Sequence, residues 1–290
     1  MKKKIGLFWL RDDFRISKNL GLHEATRNHE EVVVFYLYKK SIFQNQEAQK
    51  WWLSKSLSNY KKKLSNFNIN LEIIKANSFK LFFDELFKKK DISIYWNKVY
   101  EPDYLKFDKY LLKNIKNKNI SFKICKGNLL NDIDEVKKND GTPFKVFTPF
   151  WRTAEKHYFE KIPSQEKKVK KCSKKKNFFL NTINHDEILP KKNWFKNFEK
   201  LWSPSEENAL KELQKFIKYK IANYSDGRNF PNMTGTSKLS PFIKYGQIHV
   251  ETIWSECMNA KNKTVGTSKF LAEIGWREFN HTLINFFPHM

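Results

Sequence analysis

The segment GTSKLSPFIKYG, at 235–246, concentrates side chains that could hold an anion. Thr236, Ser237 and Ser240 supply three hydroxyl groups, and Lys238 adds a positive charge. Ser240 is followed by proline, a pair that predicts a helix start with Ser240 as its N-cap. Free N–H groups at a helix start bind phosphate, but nearby hydroxyls also cap them, so phosphate binding and self-capping both remain open.

Arginine is rare in this chain, and its placement is therefore informative. Of the 55 basic residues, 49 are Lys and six are Arg. A guanidinium group makes bidentate and stacked contacts that an ammonium group cannot make. For Arg11 and Arg15, which lie beside Asp12 and Asp13, the alternative to such ligand contacts is a buried ion pair with a neighbouring aspartate. Five of the six lie in aromatic-rich segments: WLRDDFR (Arg11, Arg15), FTPFWR (Arg152), YSDGRNFP (Arg228) and EIGWREF (Arg277).

The formal charge of +24 would attract polyanions such as nucleic acid. The lysine run EKKVKKCSKKK, at 166–176, is either part of such a surface or a solvated linker, and we favour the linker. The three cysteines and seven histidines are dispersed, so neither a disulfide framework nor a metal site is predicted. No apolar run is long enough for a membrane span or a signal peptide, and we expect a cytoplasmic protein.

The first part of the chain alternates strand and helix patterns. Runs rich in Val, Ile, Phe and Tyr predict strands, and apolar residues at helical spacing lie between them. This alternation predicts an α/β domain over 1–126, with a five-stranded, parallel, doubly wound sheet covered by helices on both faces. No GxGxxG or GxxxxGK[ST] motif follows a predicted strand, so the usual binding of a dinucleotide or a nucleoside triphosphate is not predicted. The predicted strands are 5–10, 31–38, 69–76, 91–97 and 120–126, and the predicted helices are 19–29, 45–67, 78–90 and 101–117.

The rest of the chain has a different pattern. From 127 to 200 the regular pattern breaks down, which indicates a connector between domains. The region 201–290 is predicted to be all helical, beginning with a helix that has Ser203 as N-cap. Further helices are predicted at 240–246, 249–259 and 268–286.

Five segments, spread in order over essentially the whole chain, are LFWLRDDFRISKNLGL, YEPDY, PFKVFTPFWR, YSDGRNFPNMTGTSKLSPFIKYGQI and FLAEIGWREFNHTLINFFP. In these segments the chain resembles the DNA photolyase and cryptochrome family, and most of all the class I cyclobutane pyrimidine dimer photolyases. The resemblance implies a Rossmann-like N-terminal domain, a long connector and a helical FAD-binding domain.

The resemblance also assigns cofactor-binding residues. In the family, a Tyr and a Thr-Ser-x-Leu-Ser segment hold the FAD pyrophosphate, which favours phosphate binding over self-capping for the hydroxyl-rich segment. Phe270 stands where some members place a Trp near the flavin. The implied FAD-binding residues of this chain are Tyr224, Thr236, Ser237, Lys238, Leu239, Ser240, Phe270 and Arg277.

The implied substrate is DNA containing pyrimidine dimers, which such enzymes flip out of the duplex. Trp276 matches the aromatic platform for the flipped dimer, although a plain core residue is the alternative for this Trp. Light-driven electron transfer from reduced FAD would split the dimer, so no catalytic side chain is identified. The implied DNA- and substrate-binding residues are Arg228, Glu273, Trp276, Arg277 and Asn280.

Glu101, in YEPDY, matches a residue that contacts a folate antenna, 5,10-methenyltetrahydrofolate, in some members. A first-turn helix carboxylate is the equal alternative. Family members continue for well over a hundred residues beyond the position of Met290, so the resemblance implies about half of a flavin cavity and weak or no FAD binding. We expect a monomer. An incomplete repair lyase is favoured over a cryptochrome-like light sensor and a non-catalytic nucleic-acid-binding remnant.

Overall fold

The computed structural model describes residues 4–89, 91–114, 120–160, 167–173, 177–261 and 263–290. The expected helix ends at 90 and 115–117, and residues 166 and 174–176 of the lysine run, lie outside the described residues. The strands are β1 Ile5–Leu10, β2 Val32–Tyr38, β3 Asn70–Lys75, β4 Ile92–Asn97, β5 Ile120–Cys125 and β6 Thr182–Ile183. The α-helices of the first half are α1 Leu20–Asn28, α2 Glu47–Ser65, α3 Phe79–Leu86, α4 Pro102–Asn114 and α5 Phe147–Glu160. Those of the second half are α6 Lys196–Leu201, α7 Glu206–Tyr219, α8 Tyr224–Gly227, α9 Ser240–Lys244, α10 Val250–Asn259 and α11 Val265–Phe286.

The sheet confirms the predicted parallel arrangement and adds one strand to it. Its order is β5-β4-β1-β2-β3-β6, and β1 to β5 are all parallel. The two-residue β6 pairs antiparallel with β3, too short a strand to leave a pattern in the sequence. The buried Glu72 of β3 accepts hydrogen bonds from the backbone N–H groups of Phe178 and Phe179, at 2.8 Å each, which fastens the incoming chain to this edge.

The two faces of the sheet are covered differently. Alternate residues of β1 point to opposite faces, because side chains alternate along a strand. Leu7 and Trp9 pack with helices α3 and α4. Phe8 and Leu10 belong to a core that continues through α1 and α2 into the helical half of the chain. The two halves are therefore joined by one hydrophobic core.

The helical half is confirmed, with small differences at helix starts. Among the described residues after 200, all regular structure is helical. The predicted N-cap Ser203 is wrong: α7 begins at Glu206, because Ser205 is extended and its hydroxyl accepts from the N–H of Asn208 at 3.2 Å. Ser240 is likewise not an N-cap, because α9 begins at Ser240 itself and its hydroxyl makes no capping hydrogen bond.

The connector contains more regular structure than its sequence pattern indicated. Helix α5 was not predicted, and it packs against α11. The described part of the lysine run lies along the sheet domain, where Val169 and Cys172 are buried and the N–H of Cys172 donates to the carbonyl of Phe67 at 2.8 Å. No helix in the described part of the chain is both long and apolar enough to cross a membrane.

Arg11 and Arg15 are both buried, but they have different partners. Arg11 makes a two-pronged ion pair with Asp108 of α4, rather than with its neighbours Asp12 or Asp13, and its guanidinium lies 3.8 Å from the Trp9 ring centroid. Arg15 donates to the carbonyl of Gly246 at 2.9 Å and thereby links the sheet domain to the helical half. Both arginines have structural partners in the fold.

Candidate functional site

A cleft of about 310 Å³ lies between the carboxyl edge of the sheet and the helical half. Its sheet side follows β1 and β4, where the strand order reverses direction. Open parallel sheets bind ligands at this topological switch point. Its helical side is formed by α9, α11 and the residues before them. The polar and charged residues that line it include Asp12, Asp13, Asn97, Glu101, Asn128, Tyr224, Ser237, Ser240, Lys244, Glu273, Arg277 and His281.

Two aspartates form the sheet side of the cleft. The carboxylate of Asp13 accepts hydrogen bonds from the backbone N–H of Arg11, at 3.1 Å, and from the side-chain amide of Asn97. Burial raises the pKa of Asp13 and of Asp12, although nearby cations oppose the effect. Gly246 follows α9 with φ +59°, and a Cβ at this position would clash with the carbonyl of Asp12. Glycine therefore lets the two sides approach this closely.

Lys244 connects the two sides of the cleft. Its ammonium group donates to Asp12 Oδ2 at 3.1 Å and to Glu101 Oε1 at 2.9 Å. Burial alone would lower the pKa of Lys244, but the carboxylates of Asp12 and Glu101 raise it above its ordinary value. The second oxygen of Glu101, Oε2, is buried and has no hydrogen-bond partner among the described residues. Glu101 thus has one oxygen fixed by Lys244 and one able to accept from a ligand.

Helix α11 presents one stripe of side chains to the cleft. Phe270, Glu273, Ile274, Arg277 and His281 recur at helical spacing, so they share one face. Arg277 donates to the carbonyl of Asn128 at 2.7 Å, and burial lowers its pKa. Burial also lowers the pKa of His281 to about 4, which keeps this imidazole neutral at pH 7. The stripe therefore combines one cation, one carboxylate and apolar surface.

The hydroxyl-rich segment meets the cleft through two of its residues. Ser237 and Ser240 line the cleft, together with Tyr224, which packs edge-on against Phe270 at 5.3 Å between ring centroids. The hydroxyl of Ser237 also accepts from the N–H of Leu239 at 3.3 Å, so part of the segment caps itself. Of the other predicted members of this segment, Thr236 and Lys238 are exposed, and Leu239 is buried.

Arg228 and Glu273, predicted as separate DNA contacts, form an ion pair with each other. Each side chain is roughly one-third exposed, and the carboxylate of Glu273 raises the pKa of Arg228. The pair joins α11 to the end of α8 beside the cleft. Nothing in the sequence spacing of 45 residues indicated this pairing.

Trp276 and Asn280 lie on the exposed side of α11, next to the cleft-lining stripe. The Trp276 side chain is 41% exposed, which contradicts the alternative of a plain core residue. Its ring stacks on Phe147 at the first position of α5, with centroids 3.8 Å apart and planes within 9°. The Trp276 indole is therefore exposed at the surface, and Phe147 covers one of its faces.

Several cleft residues were missed from the sequence. Asp12, Asn97, Lys244 and His281 line the cleft but were not predicted as site residues. A signal for the first two was available, since Asp12 follows β1 and Asn97 ends β4 at the point where the strand order reverses. His281 carried no such signal, because only the helix register on α11 brings it into the cleft. Within the described residues, no cluster of His, Cys, Asp and Glu could hold a metal ion.

Comparison with known proteins gives consistent matches. The sequence profile of a family described as DNA photolyase matches residues 6–168. The chain is 29% identical over 286 residues to a deoxyribodipyrimidine photo-lyase of Agrobacterium fabrum, covering 98% of this chain and 60% of that protein. It is 24% identical over 305 residues to cryptochrome-2 of Arabidopsis thaliana, covering 99% of this chain and 50% of that protein.

The fold gives the same result. A crystal structure of a bacterial class III photolyase from Agrobacterium tumefaciens superposes with a TM-score of 0.87 at 28% identity. The superposition covers 99% of this chain and 60% of that one. The chain thus spans about 60% of the length of these two photolyases.

Proposed function

Because the chain belongs to the DNA photolyase family, we propose that it serves light-driven repair of cyclobutane pyrimidine dimers in DNA, using an electron from reduced FAD. One observation carries the proposal. Six of the predicted cofactor and substrate residues, which come from two separate segments of the sequence, line a single cleft. They are Tyr224, Ser237, Ser240, Phe270, Glu273 and Arg277.

The chemistry of the cleft fits FAD. The hydroxyls of Tyr224, Ser237 and Ser240 can donate to diphosphate oxygens, while Arg277 supplies positive potential in a partly buried site. Phe270 offers an aromatic surface to the rest of the molecule. When bound, FAD supplies the photochemical electron transfer, and the side chains hold it, orient it and exclude water.

Glu101 is proposed to bind the antenna. Its Oε1 is fixed by Lys244 at 2.9 Å, and its buried Oε2 lacks a partner in the part of the chain that the structure describes. A buried acceptor without a partner is costly, and a ligand N–H would satisfy it. The N–H groups of a folate such as 5,10-methenyltetrahydrofolate have the required chemistry. This favours ligand binding over the purely structural role of a first-turn carboxylate.

The DNA contacts are proposed to lie on the exposed side of α11 and on the adjoining cleft-lining stripe. Trp276 would stack on a flipped base, and Glu273, Arg277 and Asn280 would meet its polar edges. Arg228 already holds Glu273, so its proposed phosphate contact uses the part of the guanidinium that the ion pair leaves available. The charge of +24 would strengthen binding to any duplex, damaged or not.

The test measures binding of one duplex with a single thymine dimer and of the same duplex undamaged, each at two salt concentrations. Trp276→Ala should lower the preference for damaged DNA, because base–aromatic stacking contributes about 1–3 kcal/mol per base. Trp194→Ala is a matched control, since Trp194 is also 41% exposed. An unchanged preference in Trp276→Ala would show that the lesion site lies elsewhere.

A cryptochrome-like light sensor is the second candidate, favoured by the similarity to Arabidopsis cryptochrome-2. A sensor need not distinguish damaged from undamaged DNA. Equal affinity of the unaltered chain for the two duplexes would favour the sensor over the repair enzyme.

A further inference from the structure

Three aromatic side chains form a column that ends at the exposed Trp276. The Trp276 ring lies 3.8 Å from the ring of Phe147, with planes within 9°, and Phe147 is followed by Trp151 at 6.3 Å and 8°. Phe147 and Trp151 are one turn apart on α5, whereas Trp276 belongs to α11. The column therefore joins two helices that are distant in sequence.

At the end of the column away from Trp276, the ring of Trp151 packs against the backbone of α11 at Gly275. A Cβ at Gly275 would clash with the indole ring of Trp151, so this position must lack a side chain for the two helices to pack as they do. Trp151 also packs edge-on against Trp254 of α10, with centroids 5.8 Å apart. Phe147 thus lies between Trp151, which is fixed by these contacts, and Trp276.

This arrangement covers one face of the Trp276 indole. The side chain is nevertheless 41% exposed. An exposed side chain normally samples several rotamers, and fixing one of them on binding costs free energy. A stacking partner that already fixes the ring removes much of that cost, as in preorganised binding sites built from rigid aromatics.

We infer that Phe147, supported by Trp151, is a positioning residue that fixes Trp276 as a stacking face for a flipped pyrimidine base. The inference rests on the proposed function, because it takes Trp276 to be the base-stacking residue. It also gives a role to the aromatic segment FTPFWR, whose Phe147 and Trp151 lie outside the predicted set of site residues. Phe147 acts through Trp276 and does not itself touch the base.

The test uses the same pair of duplexes, damaged and undamaged, with four variants. Phe147→Leu keeps apolar volume but removes the ring, and should lower the preference for damaged DNA roughly 2- to 10-fold, the range expected for an aromatic pair. Phe147→Tyr keeps the ring and should retain the preference. Phe144→Leu is the matched control, because Phe144 is buried in the same small core and contacts Phe150 instead of Trp276. Trp276→Ala provides the background for a double variant.

The double variant separates positioning from structural damage. If Phe147 acts through Trp276, Phe147→Leu should have no further effect on the preference in the Trp276→Ala background. An equal loss in both backgrounds, or a loss of affinity for both duplexes alike, would overturn the inference. A lowered preference in Trp276→Ala with an unchanged one in Phe147→Leu would overturn it while leaving the proposed function intact. No effect of Trp276→Ala would overturn the lesion site and the inference with it.

Discussion

At the scale of single residues, Glu278 is a carboxyl group that the fold buries and makes titrate near neutrality. It accepts hydrogen bonds from the backbone N–H groups of Leu130 and Asn131 and so fixes the chain after β5. Burial raises its pKa to about 7, against the opposing effects of these hydrogen bonds and of Arg277 and Lys126. The folded chain therefore keeps a proton that the unfolded chain releases near the ordinary Glu pKa.

The contribution of Glu278 to the free energy of unfolding should consequently fall as the pH rises from about 5 to 8, by up to about 3 kcal/mol. His281 and His249, whose pKa values burial lowers, contribute in the opposite direction over the acid part of this range. Glu278→Gln should remove that decrease, because the amide does not titrate. Urea unfolding at several pH values measures it. Glu256→Gln, on an exposed position of α10, is the control and should leave the pH dependence as it was. A decrease that persists in Glu278→Gln would assign it to another group.

The buried pair of Arg11 and Asp108 gives a second prediction at this scale. Asp108→Asn leaves the guanidinium of Arg11 buried without its counter-charge and should destabilise the chain by about 3 kcal/mol or more. The double change Arg11→Met with Asp108→Leu removes both charges and should cost less than the single change. Chemical denaturation compares the free energy of unfolding of the parent chain, of Asp108→Asn and of the double variant. If Asp108→Asn is less destabilised than the double variant, water or another group compensates the charge of Arg11.

At the scale of elements, the sequence predicts those strands and helices whose apolar residues recur with a regular period. The bounds of β1 to β5 are predicted to within one residue, because buried parallel strands have continuous hydrophobic runs in the sequence. β6 was not predicted, since a strand of only two residues that pairs with β3 leaves no pattern in the sequence. α5 escaped because its buried and exposed aromatics obscure the apolar stripe. The ion pair of Arg228 with Glu273 depends on how α8 meets α11, which no local pattern encodes.

The packing of α5 on α11 gives a prediction for the two elements together. Gly275→Ala places a methyl group where Trp151 now lies and should destabilise the chain by about 1–3 kcal/mol through overpacking. Gly227→Ala is the matched control, since a Cβ there would make only an ordinary contact at 3.5 Å with Gly235. Thermal unfolding compares both variants with the parent chain. Equal stability of the two would show that α5 can shift away from α11 without cost.

At the scale of the whole molecule, the sheet domain and the helical half share one core. Phe8 of β1, Trp52 of α2 and Phe242 of α9 belong to the same buried cluster, and Trp52 packs edge-on against Phe242 with centroids 5.1 Å apart. Gln247 links the two halves by accepting from the indole N–H of Trp52 at 3.2 Å and donating to the hydroxyl of Ser56 at 3.0 Å. The contact between the halves is therefore both apolar and specifically hydrogen-bonded.

This continuity predicts that the chain unfolds in one cooperative transition despite its two kinds of architecture, which multidomain proteins often fail to do. Circular dichroism at 222 nm and tryptophan fluorescence should give coincident midpoints in urea. Gln247→Leu leaves the indole N–H of Trp52 without its acceptor and the Ser56 hydroxyl oxygen without the donor from Gln247. A buried polar group left without its partner costs about 1–3 kcal/mol. Both probes should therefore move to lower urea together. Two separated transitions, or a Gln247→Leu effect on only one probe, would show that the sheet domain and the helical half fold independently, and that the cleft between them opens without unfolding either.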